Sequence, residues 1–389
     1  MQDFDVIVVG AGIVGSALAL ALRESGLAVA VVEPRPPRIE QDEREWDSRI
    51  YTVSPGNVDW LQGLGVWPGS PGERIARVET MRVYGDRYAS CIEFSAYDCG
   101  MRELAWVAES RELQRSLWRA LGHASHVSLY ESAGCEDIRW ERSRGRLTLN
   151  DGQAISAKLI VGADGANSWV RNRAGIGAAF HDYHQLGVVA NFETERAHGG
   201  TAFQWFRPDG ILALLPLPGR RVSMVWSAPE PWARTLLEAS PKVLCQHVGS
   251  VSAGSVGALN LLAPPSAFAL QRTRVDRLVE PRVALLGDAA HNVHPLAGQG
   301  VNLGLRDARA LADVLGRRGP QHDCGEYALL RRYERSRRED IAALELATDG
   351  LQKLFSAPAV WTSALRNFGL DLVNAQPALK AALVRPAVA

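Results

Sequence analysis

The sequence predicts an α/β fold, and three separated stretches support this class. Residues 6–9 form a short apolar run that is followed by glycines and then by a helical pattern. Residues 159–168 and 283–315 also begin with a buried apolar run, which leads into a loop containing Gly and Asp. Strands that alternate with helices are typical of a parallel sheet. Between the last two stretches, residues 187–226 are rich in aromatic and β-branched residues and predict an inserted antiparallel sheet with turns at 208–210 and 218–219. A helix is predicted to follow over residues 232–248.

The composition excludes several classes of protein. The chain has 389 residues, and its 43 Lys and Arg balance its 43 Asp and Glu, which argues against nucleic acid as a partner. Its five cysteines are scattered and form no CxxC pair, so we expect neither a disulfide framework nor a zinc site. The N-terminus has no basic region, and no stretch has the roughly 18 apolar residues of a spanning helix. We therefore expect a cytoplasmic protein.

The first motif occupies residues 10–15 and predicts a dinucleotide site. Gly10, Gly12 and Gly15 lie between an apolar run and a helical pattern, and Glu33 ends the next apolar run. Such glycines allow a tight turn, the approach of a pyrophosphate and close packing of helix on strand, while the acid can accept hydrogen bonds from a ribose. The motif does not distinguish NAD from FAD.

Two arginines are candidates for contact with the same ligand. Arg49 could lie near the pyrophosphate or ring of a cofactor, or it could form a surface salt bridge with Asp47 or Glu45. A helix is predicted from residue 110, with Ser110 as its cap. Arg111 in its first turn opposes the helix dipole, which weakly indicates a ligand phosphate there.

Residues 127–160 predict strands at 127–130, 146–149 and 154–160, with a hairpin turn at 150–152. The last strand ends at Asp164, which can accept hydrogen bonds, and Gly165 gives access to the backbone. Taken by itself, an Asp-Gly pair after a strand is more often only a turn.

The third stretch places an acid and a helix start side by side. Asp288 follows the apolar run 283–286, and Gly298 and Gly300 precede a helical pattern that begins at Val301. A helix start has unpaired N–H groups and a partial positive charge, so it can stabilise negative charge on a flat cofactor ring. An ordinary strand–loop–helix unit with a roomy turn remains the alternative. His291 and His294 are interpreted as structural histidines rather than catalytic bases.

The C-terminal part predicts helices over residues 321–383. It carries a basic run, which consists of Arg331, Arg332, Arg335, Arg337 and Arg338. This run is either the solvated face of a packed helix or a surface that touches anionic membrane.

Together, the motifs at residues 10–15 with Glu33, 162–168 and 287–307 resemble those of class A FAD-dependent aromatic monooxygenases with the para-hydroxybenzoate hydroxylase fold. The long third motif is similar to that of the ubiquinone-biosynthesis hydroxylase family. The stretches 204–207, 214–217 and 365–370 also resemble this family. Residues 52–53, 211 and 292–293 depart from the family pattern.

The resemblance implies a domain division and a set of FAD contacts. A Rossmann-type FAD-binding domain would comprise 1–75, 105–178 and 275–330, an antiparallel-sheet substrate domain 76–104 and 179–274, and a C-terminal helical region 331–389. The implied contacts fall on the pyrophosphate (Gly10, Gly12, Gly15, Asp164), the ribose (Glu33), the dinucleotide (Arg49, Arg111), the ribityl chain or pyrophosphate (Asp288) and the ring (Pro295, Gly298, Gln299, Gly300). Gly287, Val301 and Asn302 are further implied contacts with the cofactor.

The implied reaction is hydroxylation of the ring of a polyprenylated phenol or quinol intermediate of ubiquinone biosynthesis through a C4a-hydroperoxyflavin. O2 is the co-substrate, NAD(P)H or another donor visits transiently, and no catalytic side chain or metal is expected. The resemblance is also compatible with peripheral contact with the inner face of the membrane, with binding to other ubiquinone-biosynthesis proteins and with a homo-oligomer. Three rivals remain, namely a hydroxylase of a small soluble aromatic, an isoprenoid-reducing flavoprotein and a non-catalytic flavoprotein scaffold.

Overall fold

The architecture comes from a computed structural model of the chain. The structure describes residues 2–37, 46–68, 74–85, 91–292, 299–319 and 321–356, with side chains up to residue 346 in the last helix. The expectations for His294, Pro295, Gly298 and the stretch 365–370 therefore lie outside the described residues.

The described residues form strands and helices in the following order. The strands are β1 (Gln2–Val9), β2 (Val29–Glu33), β3 (Ile50–Val53), β4 (Ile75–Val78), β5 (Thr80–Tyr84), β6 (Cys91–Ser95), β7 (Ala105–Glu109), β8 (Val127–Glu131), β9 (Cys135–Trp140), β10 (Gly145–Leu149), β11 (Ala154–Gly162), β12 (Ala178–Thr194), β13 (Thr201–Arg207), β14 (Gly210–Leu217), β15 (Arg221–Pro229), β16 (Leu259–Leu261), β17 (Ser266–Val275), β18 (Val279–Glu280), β19 (Val283–Leu285) and β20 (His291–Asn292). The helices are α1 (Ile13–Ala21), α2 (Pro55–Gly63), α3 (Ser110–Gly122), α4 (Trp169–Arg173), α5 (Glu230–Glu238), α6 (Pro241–Val251), α7 (Gly300–Gly316) and α8 (Tyr327–Ser356).

The first sheet is mainly parallel. Its strand order is β18-β19-β11-β1-β2-β8, and β10 and β9 extend from β11 as an antiparallel branch. β1 lies parallel to both β2 and β11, and β19 continues this pattern beyond β11. Residues 6–8 of β1 are fully buried, because a parallel sheet is covered on both faces. The carboxyl ends of β1, β11 and β19 therefore lie at the same edge, where the three sequence motifs follow them.

The second sheet has the order β20-β17-β12-β15-β14-β13-β5-β6, with β16 beside β12. Its central strands are antiparallel and are separated at the turns that the sequence predicts near residues 208–210 and 218–219. On β14, Leu212 and Leu214 pack in a core that includes Leu236 of α5. Ile211 and Ala213 point to the opposite face because side chains alternate along a strand. A third, three-stranded sheet has the order β3-β7-β4.

The cap of α3 differs from the expectation. Glu109 rather than Ser110 precedes the helix, and Ser110 is a buried helical residue. The backbone N–H of Arg111 is instead satisfied by Asp47 Oδ2 at 3.1 Å. Ser110 was the wrong cap because β7 runs directly into the helix and a carboxylate from a distant segment supplies the acceptor.

The single helix expected over residues 232–248 is two helices. Ala239 is extended between α5 and α6, and the hydroxyl of Ser240 accepts a hydrogen bond from Val243 N at 3.4 Å. Pro241 explains the break, because proline restricts the preceding residue and has no N–H to donate to α5.

The predicted basic run lies on α8 but does not form one surface. Arg332, Arg335 and Arg338 are exposed, whereas Arg337 is only 4% exposed. Both interpretations of the run were wrong for Arg337, because a carboxylate on a neighbouring helix draws it inward. Among the described residues, no helix combines the length and the hydropathy needed to cross a membrane.

Candidate active site

A cavity of about 880 Å³ lies between the first and second sheets. One side is built from the loops after β1, β11 and β19, including Gly12, Gly165 and Asp288. The opposite side is the face of the second sheet that carries Ile211 and Ala213. The cavity therefore lies at the carboxyl ends of the parallel strands, where open α/β sheets bind their ligands.

The three glycines of the first motif have two different roles. A Cβ on Gly10, which has a φ of +97°, would lie 2.4 Å from Ala163 O, and a Cβ on Gly15 would lie 2.0 Å from Gly10 O. These two positions need glycine so that β1, α1 and β11 can pack. A Cβ on Gly12 would contact no atom within 4 Å, and Gly12 lines the cavity. The missing side chain of Gly12 therefore leaves space in the cavity for a ligand, and it is not required for packing within the protein.

Two helices begin at this cavity. The first intrahelical hydrogen bond of α1 joins Ser16 N to Gly12 O at 3.0 Å, and that of α7 joins Leu303 N to Gln299 O at 2.9 Å. The residues that precede these donors, 13–14 and 300–302, line the cavity. Their N–H groups have no acceptor within their own helix, so both ends favour negative charge. This arrangement fits a dinucleotide with its pyrophosphate at α1 and its ring at α7.

Glu33 holds the glycine loop in place. Its Oε2 accepts a hydrogen bond from Ala11 N at 2.7 Å, and its Oε1 accepts one from Arg35 N at 2.9 Å. The carboxylate is thus fixed beside the loop that lines the cavity, while its contact with a ribose stays a prediction.

Asp288 and Arg49 give the cavity a charged end. Asp288 follows β19 and is exposed to the cavity. Desolvation by the surrounding protein raises the pKa of Asp288, although the charges of His291 and Arg49 oppose this. Arg49 also lines the cavity, and its backbone N–H, rather than its guanidinium, contacts Asp47. The contact of Arg49 with a cofactor stays a prediction.

Tyr51 is a lining residue that the sequence did not suggest. The guanidinium of Arg49 lies 5.6 Å from the centre of its ring. Burial raises the pKa of Tyr51, as does the negative charge of Asp288, whereas the charge of Arg49 lowers it. The only signal available in the sequence was its position two residues after Arg49.

Asp164 and Arg111 lie outside the described lining of the cavity. Asp164 Oδ2 accepts hydrogen bonds from Trp169 N at 2.7 Å and Val170 N at 3.0 Å, so the carboxylate caps α4. From α3, it is Gln114 that reaches the lining. Helical spacing could have suggested Gln114, which lies one turn beyond Ser110 and donates to its hydroxyl at 3.3 Å.

The wall opposite the glycine loops is mostly apolar. Strand register aligns Gln204, Ala213, Val225 and Val189 across neighbouring strands, and all four line the cavity. Gln204 and Ser227 are polar residues in this wall, and each is 5% exposed. The remaining residues of the wall are mainly aliphatic or aromatic: Val78, Met81, Phe94, Leu104, Ala202, Ile211 and Leu215. Such a wall suits a flat apolar ligand with few polar substituents.

His291 lies behind the cavity. It is 3% exposed, and its Nε2 lies 2.6 Å from Asp307 Oδ2. Burial would lower the pKa of His291, but the charge of Asp307 and the hydrogen bond outweigh it, so the pKa is raised. These contacts favour the structural interpretation over that of a catalytic base.

Comparisons with known proteins agree with this geometry. A family model described as an FAD binding domain matches residues 3–348. The chain is 34% identical over 380 residues to the 3-demethoxyubiquinol 3-hydroxylase of Escherichia coli (strain K12), covering 97% of both chains. It is 32% identical to the ubiquinone hydroxylase UbiL of Rhodospirillum rubrum, over 99% of this chain and 89% of that one.

Among solved structures, the fold is similar to that of PqsL, a probable FAD-dependent monooxygenase from Pseudomonas aeruginosa. The TM-score is 0.79 at 24% identity, and the match covers 95% of this chain and 100% of that one. These findings confirm the predicted α/β fold, FAD as cofactor and the oxidoreductase class. With its glycine loop, its two helix starts and its full-length relatives, this chain belongs to the ubiquinone-biosynthesis hydroxylase family of FAD-dependent aromatic monooxygenases.

Proposed function

We propose that this protein hydroxylates the aromatic ring of a polyprenylated phenol or quinol intermediate of ubiquinone biosynthesis. The observation that carries the proposal is the two-sided cavity. Its glycine-lined side fits FAD, and its apolar wall fits an aromatic ring that must be kept away from water. The two full-length relatives are named as hydroxylases of ubiquinone or its precursors, which supports the same substrate class.

The proposed cofactor contacts follow the two helix starts. Gly12 and the first turn of α1 would hold the pyrophosphate, and Gly300 and Val301 would border the ring system. Asp288 and Arg49 would contact the chain between them. Bound FAD supplies the electrons that activate O2. The helix start of α7 would stabilise negative charge on the ring of this cofactor.

The remaining steps depend on the wall of the cavity. One atom of O2 enters a ring C–H bond as a hydroxyl, the other leaves as water, and a two-electron donor such as NAD(P)H balances the reaction. The aliphatic wall excludes bulk water, which protects the oxidising species from wasteful breakdown. Gln204 and Ser227 would orient the oxygen substituents of the substrate ring by hydrogen bonds.

A prenyl tail needs an exit, and β17 offers one. Phe268 lines the cavity and is 46% exposed. Its ring lies over Gly187, where a Cβ would approach within 2.7 Å. The alanines on either side, Ala267 and Ala269, are exposed as well. We propose that the tail leaves the cavity along this apolar edge toward the inner face of a membrane.

The direct test uses the purified protein with FAD, NADPH, ¹⁸O₂ and a phenol that carries a short prenyl chain. The expected result is a hydroxylated product with one ¹⁸O atom. If only small soluble aromatics gave labelled product, the rival hydroxylase would be correct, and reduction of an isoprenoid double bond would favour the reductase. If FAD bound but no aromatic gave labelled product, the scaffold would be favoured.

The cellular test is deletion of the gene in its host, followed by mass spectrometry of the accumulated quinone intermediate. The expected intermediate lacks one or more ring hydroxyls. An unchanged quinone content in a host without a redundant enzyme would contradict the proposal.

A further inference from the structure

Behind the cavity lies a buried charge cluster formed by His291, Asp307 and Arg337. Asp307 on α7 is 0% exposed. Its Oδ1 accepts a hydrogen bond from Arg337 Nε at 2.8 Å, and its Oδ2 lies 2.6 Å from His291 Nε2. Arg337 is also held by Asp340, at 2.6 Å. A carboxylate so far from water is stable only while cations balance its charge.

The same carboxylate holds the turn that presents Asp288 to the cavity. Gly287 N donates a hydrogen bond to Asp307 Oδ2 at 3.0 Å. Gly287 has a φ of +54°, in the left-handed region that favours glycine. One helical turn before Asp307, Gly304 allows close contact, because a Cβ there would lie 3.2 Å from the Cα of Gly287. The turn is thus fixed by α7 from behind.

Helix α8 contacts the same region from the other side. The hydroxyl of Tyr333 donates to Leu285 O at 2.8 Å, and Glu334 Oε1 accepts from Leu278 N at 2.9 Å. Both α8 residues are buried, as is Arg337 one turn further along. No α8 residue belongs to the described lining of the cavity, so any effect of α8 on the ligand must be indirect.

We propose that Asp307 is a positioning residue for FAD binding and that α8 keeps it in place through Arg337. Asp307 fixes the turn of Gly287 and Asp288 in the orientation that meets the cofactor. Arg337 supplies the charge that allows Asp307 to remain ionised and ordered there. Because coupling is reciprocal, bound FAD should in turn stabilise α8.

The first test is a rescue experiment read out as the dissociation constant of FAD, measured by flavin fluorescence, and as the urea midpoint of the apoprotein. Arg337→Met is expected to weaken FAD binding at least tenfold, because it leaves Asp307 charged beside a single cation. Adding Asp307→Asn should restore affinity to within about threefold of the parent, since a neutral amide can still accept from Gly287 N. Arg335→Met, on the exposed side of α8, should leave both readouts unchanged.

A merely structural role of Arg337 predicts a different result. If only lost packing mattered, Asp307→Asn would not restore FAD binding in the Arg337→Met protein, and the proposal would be overturned. Should Arg337→Met fail to fold, two double variants that carry no charge at positions 307 and 337 are compared instead. Asp307→Asn with Arg337→Met is expected to bind FAD at least tenfold more tightly than Asp307→Leu with Arg337→Met. Equal affinities would contradict the positioning role.

The second test is hydrogen exchange of α8 with and without FAD. The expected result is slower exchange of residues 327–345 when FAD binds, although none of them lines the described cavity. The protein carrying Asp307→Asn and Arg337→Met should lose this protection of α8 while it still binds FAD. If the exchange rate of α8 in the parent protein were the same with and without FAD, the coupling would be refuted.

Discussion

The side chain of Asn302, at the start of α7, accepts a hydrogen bond from the backbone N–H of Ser54 at 2.8 Å. Its amide nitrogen donates to Thr52 O, also at 2.8 Å. The segment between β3 and α2 is thereby joined to the helix start that faces the cavity. Asn302 was expected to contact the cofactor. Its buried side chain serves this junction, and the residue also lines the cavity, so the cofactor contact stays a prediction.

Asn302→Leu is expected to destabilise the protein by about 3 kcal/mol, because it removes the acceptor for Ser54 N and the donor to Thr52 O at a buried site. Urea denaturation of the apoprotein measures this loss. Asn172→Leu, at an exposed position of α4, is the matched control, and it should cost much less because no buried hydrogen bond is lost there. Equal losses for the two variants would mean that the bond to Ser54 contributes little.

Gly12→Ala and Gly15→Ala should affect different properties, namely FAD binding and the stability of the apoprotein. Gly12→Ala is expected to leave the thermal stability of the apoprotein unchanged and to weaken FAD binding at least tenfold, because its methyl group enters space that only a ligand would use. Gly15→Ala should lower the melting temperature of the apoprotein, because its methyl group would overlap Gly10 O. Calorimetry and flavin fluorescence give the two readouts. Unimpaired FAD binding by Gly12→Ala would refute the placement of the pyrophosphate.

The unfolding free energy should depend on pH through His291. The pKa of His291 is raised in the folded protein by Asp307, above its unfolded value of about 6.5. Its contribution is therefore fully present below pH 6.5 and is lost as the pH rises through the folded pKa. The destabilisation caused by His291→Gln should thus be larger at pH 6 than at pH 9 in urea denaturation.

The exposed His123 provides a control for this prediction. His123→Gln is expected to show the same small effect at both pH values. A destabilisation by His291→Gln that grew toward pH 9 would have the wrong sign and would contradict the charged state of His291 beside Asp307.

Ala213→Phe should close the substrate side of the cavity without affecting the cofactor side. The variant is expected to bind FAD normally and to lose most hydroxylation, while NAD(P)H oxidation yields hydrogen peroxide instead. Peroxide and labelled product are measured together. Ala179→Phe, at an exposed position of β12, is the matched control and should behave like the parent protein. Full activity of Ala213→Phe would place the substrate elsewhere.

Gln204→Leu tests the proposed orientation of the ring. Loss of one hydrogen bond at a buried polar site is expected to lower kcat/KM by about tenfold, equivalent to about 1.4 kcal/mol, with FAD binding unchanged. Ser227→Ala should give a smaller effect because a hydroxyl offers a single donor. If the two variants differed from the parent only in apoprotein stability, neither residue would orient the substrate.

The sequence predicted those parts of the site that depend on local pattern. An apolar run followed by glycines fixes a strand, a turn and a helix within a few residues, so the positions of Gly12, Asp288 and Gly300 could be inferred from spacing alone. The turn at residues 150–152 was found in the same way, because the hairpin chemistry lies within the turn itself.

Contacts between distant segments could not be inferred from spacing. Helical periodicity located α3, yet it did not reveal that Asp47 would cap it or that Gln114 rather than Arg111 would reach the described lining of the cavity. Both depend on how a loop and a helix approach each other after folding.

By itself, the sequence determined the α/β class, the glycine loop and the acid after β19, since each follows from residue types within one short segment. The tertiary structure alone decided the rest. Arg337 lies in a basic run that any pattern assigns to the surface, but Asp307 on α7 draws it into the protein, because a buried carboxylate requires a cation. The packing of α8 against α7 decides which arginine of the run supplies that charge. No local sequence pattern encodes this packing.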